Sequence, residues 1–316
     1  MKCYLCKQDA VVRIEYMQRE LCQQHFFRMF EKRVMHTIRK FGMVKKGMRI
    51  GIAVSGGKDS TVMLHLLAQV CKPMRCKLVA ILADEGIRGY RDRAIVKCKK
   101  ECKKVGVPLK IYSFKKEYKV TVGEIGCRVN NSCSYCGVLR RHILNKAARE
   151  LKLDVLAFGH NLDDAAQTVI MNITRNEPFR LARFGASGGI SEDESFVPRI
   201  RPLIETPEKE IALYSILKGY ESVMQDCPFA SQAFRDRARE FLNGIEEEYP
   251  GSKKRVLESF WVIKRALEKE YAAKKGEKIG KCAKCGEPTS QKKECKACEL
   301  AARARGIIKQ RRKVKP

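Results

Sequence analysis

No apolar run in this chain of 316 residues reaches the roughly 18 residues that a membrane-spanning helix needs, so no membrane partner is expected. The chain is also short of acid. Against 65 Lys and Arg it sets only 36 Asp and Glu, for a formal net charge of +29, and so large a surplus must find counter-charge; nucleic acid is its natural partner. The opening residues lack the basic and apolar regions of a secretory signal, and Cys3 and Cys6 stand where those would lie, so export is not expected and a cytoplasmic setting is. In such a compartment fifteen cysteines argue for metal ligation and thiol chemistry over disulfides. Length favours two domains, or one α/β domain with appendages, and leaves ample chain to bury a core.

Some of the positive charge reads simply as solvated helix faces, as in Lys97 to Lys104 and Lys269 to Lys278. The tail from Arg303 to Lys315 carries seven basic residues and no acid, more than solubility requires, and points to RNA or DNA. Cysteine spacing defines both ends of the chain. Cys3-x-x-Cys6 is followed after fifteen residues by Cys22-x-x-His25, and Cys282-x-x-Cys285 after nine by Cys295-x-x-Cys298. Each pair of turns offers four ligands to one tetrahedral ion and leaves no open position, the pattern of a structural zinc site. Adventitious cysteines are the competing reading, with more room at the first quartet, where His25 could be an ordinary helix residue. Each module is too short for a core of its own, so the metal would supply its folding energy.

The densest chemistry lies at Ser55-Gly56-Gly57-Lys58-Asp59-Ser60. It follows the apolar run Ile50 to Val54 and opens a helix-like segment, Thr61 to Leu67. A Gly-Gly pair at a strand-to-helix turn lets backbone N–H groups approach phosphate oxygens, the helix N-terminus adds partial positive charge, and Lys58 adds a full one. It is not a Walker A loop: counted from Gly51, that pattern needs Lys at 57 and Ser or Thr at 58. An acid inside a phosphate cradle is repelled unless a divalent cation intervenes, which makes Asp59 a candidate Mg2+ ligand. The competing reading is an ordinary glycine-rich turn.

Residues 45 to 225 alternate strand and helix patterns. Strands are expected at Arg49–Val54, Lys77–Ala83, Leu109–Phe114 and Val155–Gly159, and helices at Lys58–Val70, Arg91–Val105, Gly137–Leu151 and Asp164–Arg175. This predicts an α/β fold, a doubly wound parallel sheet with ligands at the carboxyl ends of its strands. Ala53 and Ala83, at two such ends, are plausible purine contacts. Asp163 and Asp164 open a helix beside Gly159-His160; one acid there is explained as a cap, while two suggest a metal or ribose role for one of them. The stretch Gly185–Glu194 looks like a mobile loop. Beyond Cys227, Gln232–Glu248 and Ser252–Lys275 read as amphipathic helices separated by Pro250-Gly251, with Leu257, Phe260, Trp261 and Ile263 as a packing stripe.

Cys133, Cys136 and the distant Cys227 leave one position short of four ligands. Zinc, a 4Fe-4S cluster with one open iron, a persulfide carrier resolved by Cys227, and inert packing are all open readings. Cys71, Cys76, Cys98, Cys102 and Cys127 have no assigned chemistry; Cys98 and Cys102, at i and i+4, are expected to pack in the core.

SGGKDS resembles the PP-loop signature of the N-type ATP pyrophosphatases, Rossmann-like enzymes that split ATP into AMP and pyrophosphate. With Cys133-Ser134-Tyr135-Cys136-Gly137-Val138-Leu139-Arg140-Arg141, Gly159 to Thr168 (GHNLDDAAQT), Asp226-Cys227-Pro228 and both zinc modules, the resemblance is to the tRNA 2-thiolation enzymes of the TtuA type, over essentially the whole chain. The TtcA branch lacks the zinc modules and fits less well. The resemblance implies a zinc finger at 1–30, a PP-loop catalytic domain at 31–230, a helical extension at 231–278, and a second zinc finger with basic tail at 279–316. It implies ATP contacts at Ala53, Val54, Ser55, Gly56, Gly57, Lys58, Asp59 and Ser60, with Ala83, Arg140, Gly159 and Asp164, and Mg2+ near Asp59. Cys133, Cys136 and Cys227 match the family's 4Fe-4S ligands, with Asp59, Lys58 and Arg140 completing the catalytic set. Arg140 stands where many relatives have lysine, which keeps the charge and changes the donor geometry.

The implied reaction adenylates O2 of a tRNA uridine and replaces it with sulfur from the thiocarboxylate of a ubiquitin-like carrier. Its target would be the T-loop uridine, or alternatively the wobble uridine, and the implied assembly is a homodimer. A ligase acting on a small acid is disfavoured by the zinc modules and the basic tail. A non-enzymatic RNA-binding zinc protein requires a dead PP-loop.

Overall fold

The computed structural model describes residues 1–126, 128–129, 131–188, 196–223, 225, 227–229, 234–272 and 279–312. Cys127, Asp226, most of the 185–194 loop, the end of the 269–278 basic run and the last residues of the tail lie outside that set.

The chain opens with an antiparallel hairpin of β1 (Val12–Ile14) and β2 (Arg19–Leu21), and α1 (Gln23–Lys40) follows Cys22 directly. Phe26, Phe30, Val34, Thr37 and Ile38 recur every three or four residues and form the buried face of α1. The helix runs without a break through the expected domain boundary at residue 30.

A strand and helix alternation follows: β3 (Arg49–Ala53), α2 (Lys58–Cys71), β4 (Lys77–Asp84), α3 (Tyr90–Lys104), β5 (Leu109–Ser113), the short α4 (Phe114–Tyr118) and α5 (Val122–Gly126), then α6 (Ser132–Glu150), β6 (Val155–Ala157), α7 (Leu162–Thr174), α8 (Pro178–Arg183), β7 (Arg199–Ile200) and α9 (Glu208–Leu217). The five strands form one parallel sheet in the order β5-β4-β3-β6-β7. The chain therefore winds outward in both directions from β3, and the crevice between β3 and β6 is the topological switch point. Successive strand residues point to opposite faces. Ile50, Ile52, Ala80, Leu82, Val155 and Ala157 join one hydrophobic core, and Ile81, Ala83 and Leu156 the other.

The first core takes the N-terminal module through Cys3, Ile14, Leu21 and Cys22, together with α1, α2, α7 and α9. The second takes α4, α5 and α6 and the C-terminal module, which comprises β8 (Gly280–Lys281), β9 (Pro288–Thr289) and α12 (Lys296–Arg312). Between them in sequence, α10 (Phe234–Glu248) and α11 (Ser252–Ala272) pack on α7. Leu257 and Phe260 of α11 are buried, each burial stabilising the docking by roughly 1.5–3 kcal/mol. Trp261 packs on Phe41 and Phe260, but Ile263 is 47% exposed and leaves the expected stripe.

Three further features depart from expectation. Helix α6 begins at Ser132, not Gly137, because Asn131 caps it: its Oδ1 accepts from Ser134 N at 3.1 Å. Cys133 and Cys136 thus lie within the first five residues of α6 and not in a loop. The strand β7, two residues between Pro198 and Pro202, was not anticipated; prolines deny it a long ladder, and an edge position tolerates them. Helix α9 was also not anticipated. Among the described residues no helix is long and apolar enough to cross a membrane.

Candidate functional site

The phosphate loop is built by close packing that only glycine permits at two points. Gly56 has φ +84°, and a Cβ there would lie 2.8 Å from Ala94 Cβ. Gly159, at the end of β6, lies so close to the loop that a Cβ would stand 3.0 Å from Ser60 N. Ser55 N donates to Ser60 Oγ at 3.1 Å and Ser60 Oγ to the Gly57 carbonyl at 3.0 Å, which closes the turn. Gly57 caps α2 with no side-chain partner, leaving the first amides of that helix for an anion.

Above the loop lies a cavity of about 440 Å³. Of the residues expected to hold ATP, Ala53, Val54, Ser55, Asp59, Ser60, Ala83, Arg140, Gly159 and Asp164 line it. Its apolar wall adds Ile81, Leu144 and Phe158, a surface suited to a purine face. Lys58 is placed differently. Its ammonium binds Glu208 of α9 at 2.6 Å and Asp59 at 3.3 Å, and it does not line the cavity.

Asp59 accepts from Asn161 Nδ2 at 3.1 Å. Burial holds its carboxyl above the ordinary value, opposed by Lys58 and Asn161 and assisted by Glu208 and Asp164. Asp164 closes a capping box with Asn161 and pairs with Arg235 at 3.1 Å. Its neighbour Asp163 faces elsewhere, accepting from Glu208 N at 2.8 Å and from Lys253 Nζ at 2.5 Å, so it ties α9 and α11 to α7.

Sequence reasoning missed much of the cavity wall: Glu85, Arg91, Arg141, Arg199, Arg201 and Arg235. Glu85, 1% exposed, bridges Arg91 Nη2 at 2.5 Å and Arg140 Nε at 2.8 Å. Arg91 also donates to the Ser55 carbonyl at 2.9 Å, and Arg140 Nη2 to Cys136 Sγ at 3.1 Å. One buried carboxylate therefore connects the phosphate loop to the cysteine helix. Glu85→Ala is expected to cost about 3–5 kcal/mol, because Arg91, 4% exposed, would keep a buried charge without a counter-charge. Urea denaturation checks this, and a variant as stable as the wild type would contradict it.

Cys136 is buried, and burial pushes its thiol up to about 11 despite Arg140. Cys133 is exposed, its Sγ donating to the Phe229 carbonyl at 3.1 Å. Cys227 is half-buried, packs against the same core as Cys136 and interacts with it electrostatically. The segment before it is anchored on the loop, Val223 N donating to the Gly56 carbonyl at 2.7 Å. These thiols do not converge closely enough to share one ion: among the described residues, the clusters of three or more ligand atoms within 4.8 Å of one another are the two terminal quartets. Cys98 and Cys102 are buried in the core, as expected, and burial pushes their thiols up to about 12 and about 11.

In the first quartet Cys6 Sγ and Cys22 Sγ are 3.8 Å apart, and His25 Nδ1 lies 3.3 to 3.5 Å from all three sulfurs. A tetrahedron with bonds of roughly 2.0–2.3 Å has edges near these lengths. In the second, Cys285 Sγ and Cys295 Sγ are 3.7 Å apart. His142 of α6 reaches Cys285 Sγ at 3.5 Å, which docks this module on the helix that carries Cys133 and Cys136. At Cys3 and Cys282 burial, which raises the thiol, is outweighed by backbone N–H donors, and both fall to about 6, ready to bind metal as thiolates.

A glycine loop at the switch point, capped by a helix N-terminus and followed by an acid, defines an α/β nucleotide-binding protein outside the Walker class. A family model of the PP-loop domain matches residues 27–243. The chain is 34% identical over 290 residues to the tRNA-5-methyluridine(54) 2-sulfurtransferase of Pyrococcus horikoshii, covering 92% of this chain and 90% of that one. It is 33% identical over 315 residues to the tRNA 2-thiolation protein NcsA of Haloferax volcanii, covering 95% and 98%. Among solved structures it resembles the U34-tRNA thiolase NcsA from Methanococcus maripaludis with its 4Fe-4S cluster, at TM-score 0.80 and 33% identity over 96% of each chain. The chain belongs to the PP-loop family and, within it, to the tRNA 2-thiolation sulfurtransferases.

Proposed function

We propose that this protein is an ATP-dependent tRNA-uridine 2-sulfurtransferase acting in the cytoplasm. The observation that carries the reading is the continuous path from the phosphate loop through Arg91, Glu85 and Arg140 to Cys136, which puts an ATP cavity and a cysteine ligand on two sides of one arginine. ATP enters with its base against Ile81, Ala83 and Leu144 and its phosphates on the amides of the Ser55–Ser60 loop. Asp59 would hold Mg2+, which would offset its repulsion from the phosphates and from Asp164. The uracil O2 is a poor leaving group; its attack on the α-phosphorus of ATP transfers AMP to it and releases pyrophosphate, which creates a good one, and Arg140 stabilises the charge on the departing pyrophosphate. The uridine must be unpaired or flipped to reach this depth.

Cys133, Cys136 and Cys227 would hold a cluster and not a single ion, because their sulfurs do not converge as those of the two terminal quartets do. When bound, a 4Fe-4S cluster on three cysteines supplies an iron with an open position that can hold sulfur. Cys133 on the first turn of α6, with Cys136 just after it, adds the positive end of that helix to the site. By family likeness we assign a thiocarboxylated ubiquitin-like carrier as sulfur source and a homodimer as the active form. The T-loop uridine is the target we assign, on the likeness to the Pyrococcus enzyme. The structural likeness to a U34-tRNA thiolase supports the wobble uridine as a second reading.

The decisive experiment is anaerobic reconstitution with iron and sulfide, followed by incubation with Mg·ATP and tRNA transcripts, with AMP assayed and the thiolated nucleoside mapped by mass spectrometry. Absence of both AMP and thiolated tRNA overturns the reading. The two quartets are assigned to Zn2+ in structural roles. Cys282→Ser is expected to lower bound zinc from about two to one per chain and expose the C-terminal module to protease, because the metal supplies its folding energy. Unchanged zinc content would contradict the assignment.

A further inference from the structure

On the cavity wall and beside it, four arginines stand outside the ion pairs of this protein. Arg91 and Arg140 share Glu85, Arg235 binds Asp164, and Arg33 binds Glu210. Among the described residues no carboxylate lies within ion-pair distance of Arg141, Arg183, Arg199 or Arg201. Aromatic faces hold three of them instead: Arg199 lies over Phe158 at 5.6 Å, Arg201 over Phe184 at 5.4 Å, and Arg183 over Phe179 at 5.5 Å. Stacking fixes a guanidinium while leaving its charge available, and although Arg201 also donates one Nη to the Gly185 carbonyl, its other donors remain.

These arginines are close enough to oppose one another. Arg199 is held below its ordinary value by burial and by Arg141 and Arg183, and Arg201 is pushed down to about 10 by burial and by Arg199. Position gives the array a direction. Arg199 and Arg201, either side of the buried Ile200, line the cavity with Arg141, whereas Arg183 lies outside it on α8, next to the 41% exposed Phe179. The array thus leads from the cavity wall to the surface, on the β6–β7 side of the sheet. The triphosphate seat, on the amides that open α2, lies at the end of β3.

We infer that Arg141, Arg183, Arg199 and Arg201 form a phosphodiester seat that grips the RNA backbone flanking the target uridine while its base occupies the cavity. The inference rests on the tRNA-thiolation reading and adds to it the surface by which substrate enters. A chain of phosphates suits a line of pre-oriented, unneutralised guanidiniums, since each can bind a phosphate by two parallel donors. The ligand class could equally be met by the phosphates of ATP, so the test must separate the two.

Arg141 and Arg183 are exposed and unpaired, which makes Arg141→Ala and Arg183→Ala tolerable to the fold. Binding of a tRNA transcript to the full chain is measured across a salt series, and ATP binding by its effect on Tm. We expect the log–log salt dependence of tRNA binding to become shallower by about 1 for each arginine removed, with the ATP-dependent rise in Tm unchanged in Arg183→Ala, whose side chain lies outside the cavity. Arg199→Lys keeps the charge and is expected to retain most of the slope while weakening affinity, and it covers the case in which an alanine variant fails to fold. An unchanged tRNA slope, or a loss of ATP binding with tRNA binding intact, overturns the seat. Failure of the wild-type chain to bind tRNA at all would sink the functional reading itself, a result distinct from either.

Discussion

A Cys136→Ser variant, reconstituted beside the wild-type chain, is expected to lose its bound iron and to thiolate tRNA no better than a control without protein, while its Tm still rises with ATP. Cys136 is buried among apolar neighbours and receives the Arg140 guanidinium at 3.1 Å. Burial keeps its thiol protonated at neutral pH, so metal binding must displace that proton, and the gain comes from a soft sulfur donor that serine cannot replace. The substitution removes no volume of consequence and leaves the Glu85–Arg140 pair in place. The ATP-dependent Tm rise therefore reports an intact phosphate loop, and the iron content reports the cluster independently of activity. Iron retained at wild-type level together with unchanged thiolation would remove Cys136 from the ligand set and break the proposed path from ATP to sulfur.

The parts of this site that sequence could reveal are those whose chemistry is contiguous. Six consecutive residues from Ser55 to Ser60 form the glycine turn, and each terminal quartet comes from two short spacings whose ligand atoms local geometry brings together. The strand ends at Ala53, Ala83 and Gly159 followed from alternation alone, and all three line the cavity. The opposite wall was illegible because distant pieces of chain build it. Arg199 and Arg201 face the cavity from a strand of two residues, too short and too rich in flanking proline to show a period. Glu85 is one residue beyond β4, and nothing local indicates that Arg91 and Arg140, six and fifty-five positions later in the chain, converge on it.

Lys58 has a partner that local sequence does not reveal. The motif assigns it to phosphate, yet its ammonium is engaged by Glu208, the first residue of a helix that periodicity did not expose. The N-terminus of α6 was misplaced because Gly137 resembled a helix boundary, whereas Asn131 is the cap that the backbone uses. In each case a tertiary partner or a single cap overrode the local pattern.

Asp59→Asn is expected to lower pyrophosphate release from ATP by about a hundredfold or more, the scale seen when one preorganised electrostatic contact to a transition state is removed. Asp59 lines the cavity beside Ser60, and its carboxyl is crowded by burial and by Glu208 and Asp164. A divalent cation would relieve that crowding and carry the phosphates, so the affinity for Mg2+ should weaken in the variant together with the rate. Stability should respond in the opposite sense. Environment as a whole disfavours the charged carboxylate, so the amide removes a destabilising charge, and the metal-free variant should unfold at a Tm no lower than that of the wild type while losing the additional rise conferred by Mg·ATP. The neutral side chain still accepts from Asn161, which keeps the loop against the start of α7. Both observations come from one protein preparation: pyrophosphate release against Mg2+ concentration, and thermal melts with and without Mg·ATP. Wild-type turnover in the variant would move the cation to another ligand and return Asp59 to a structural role at the head of α2.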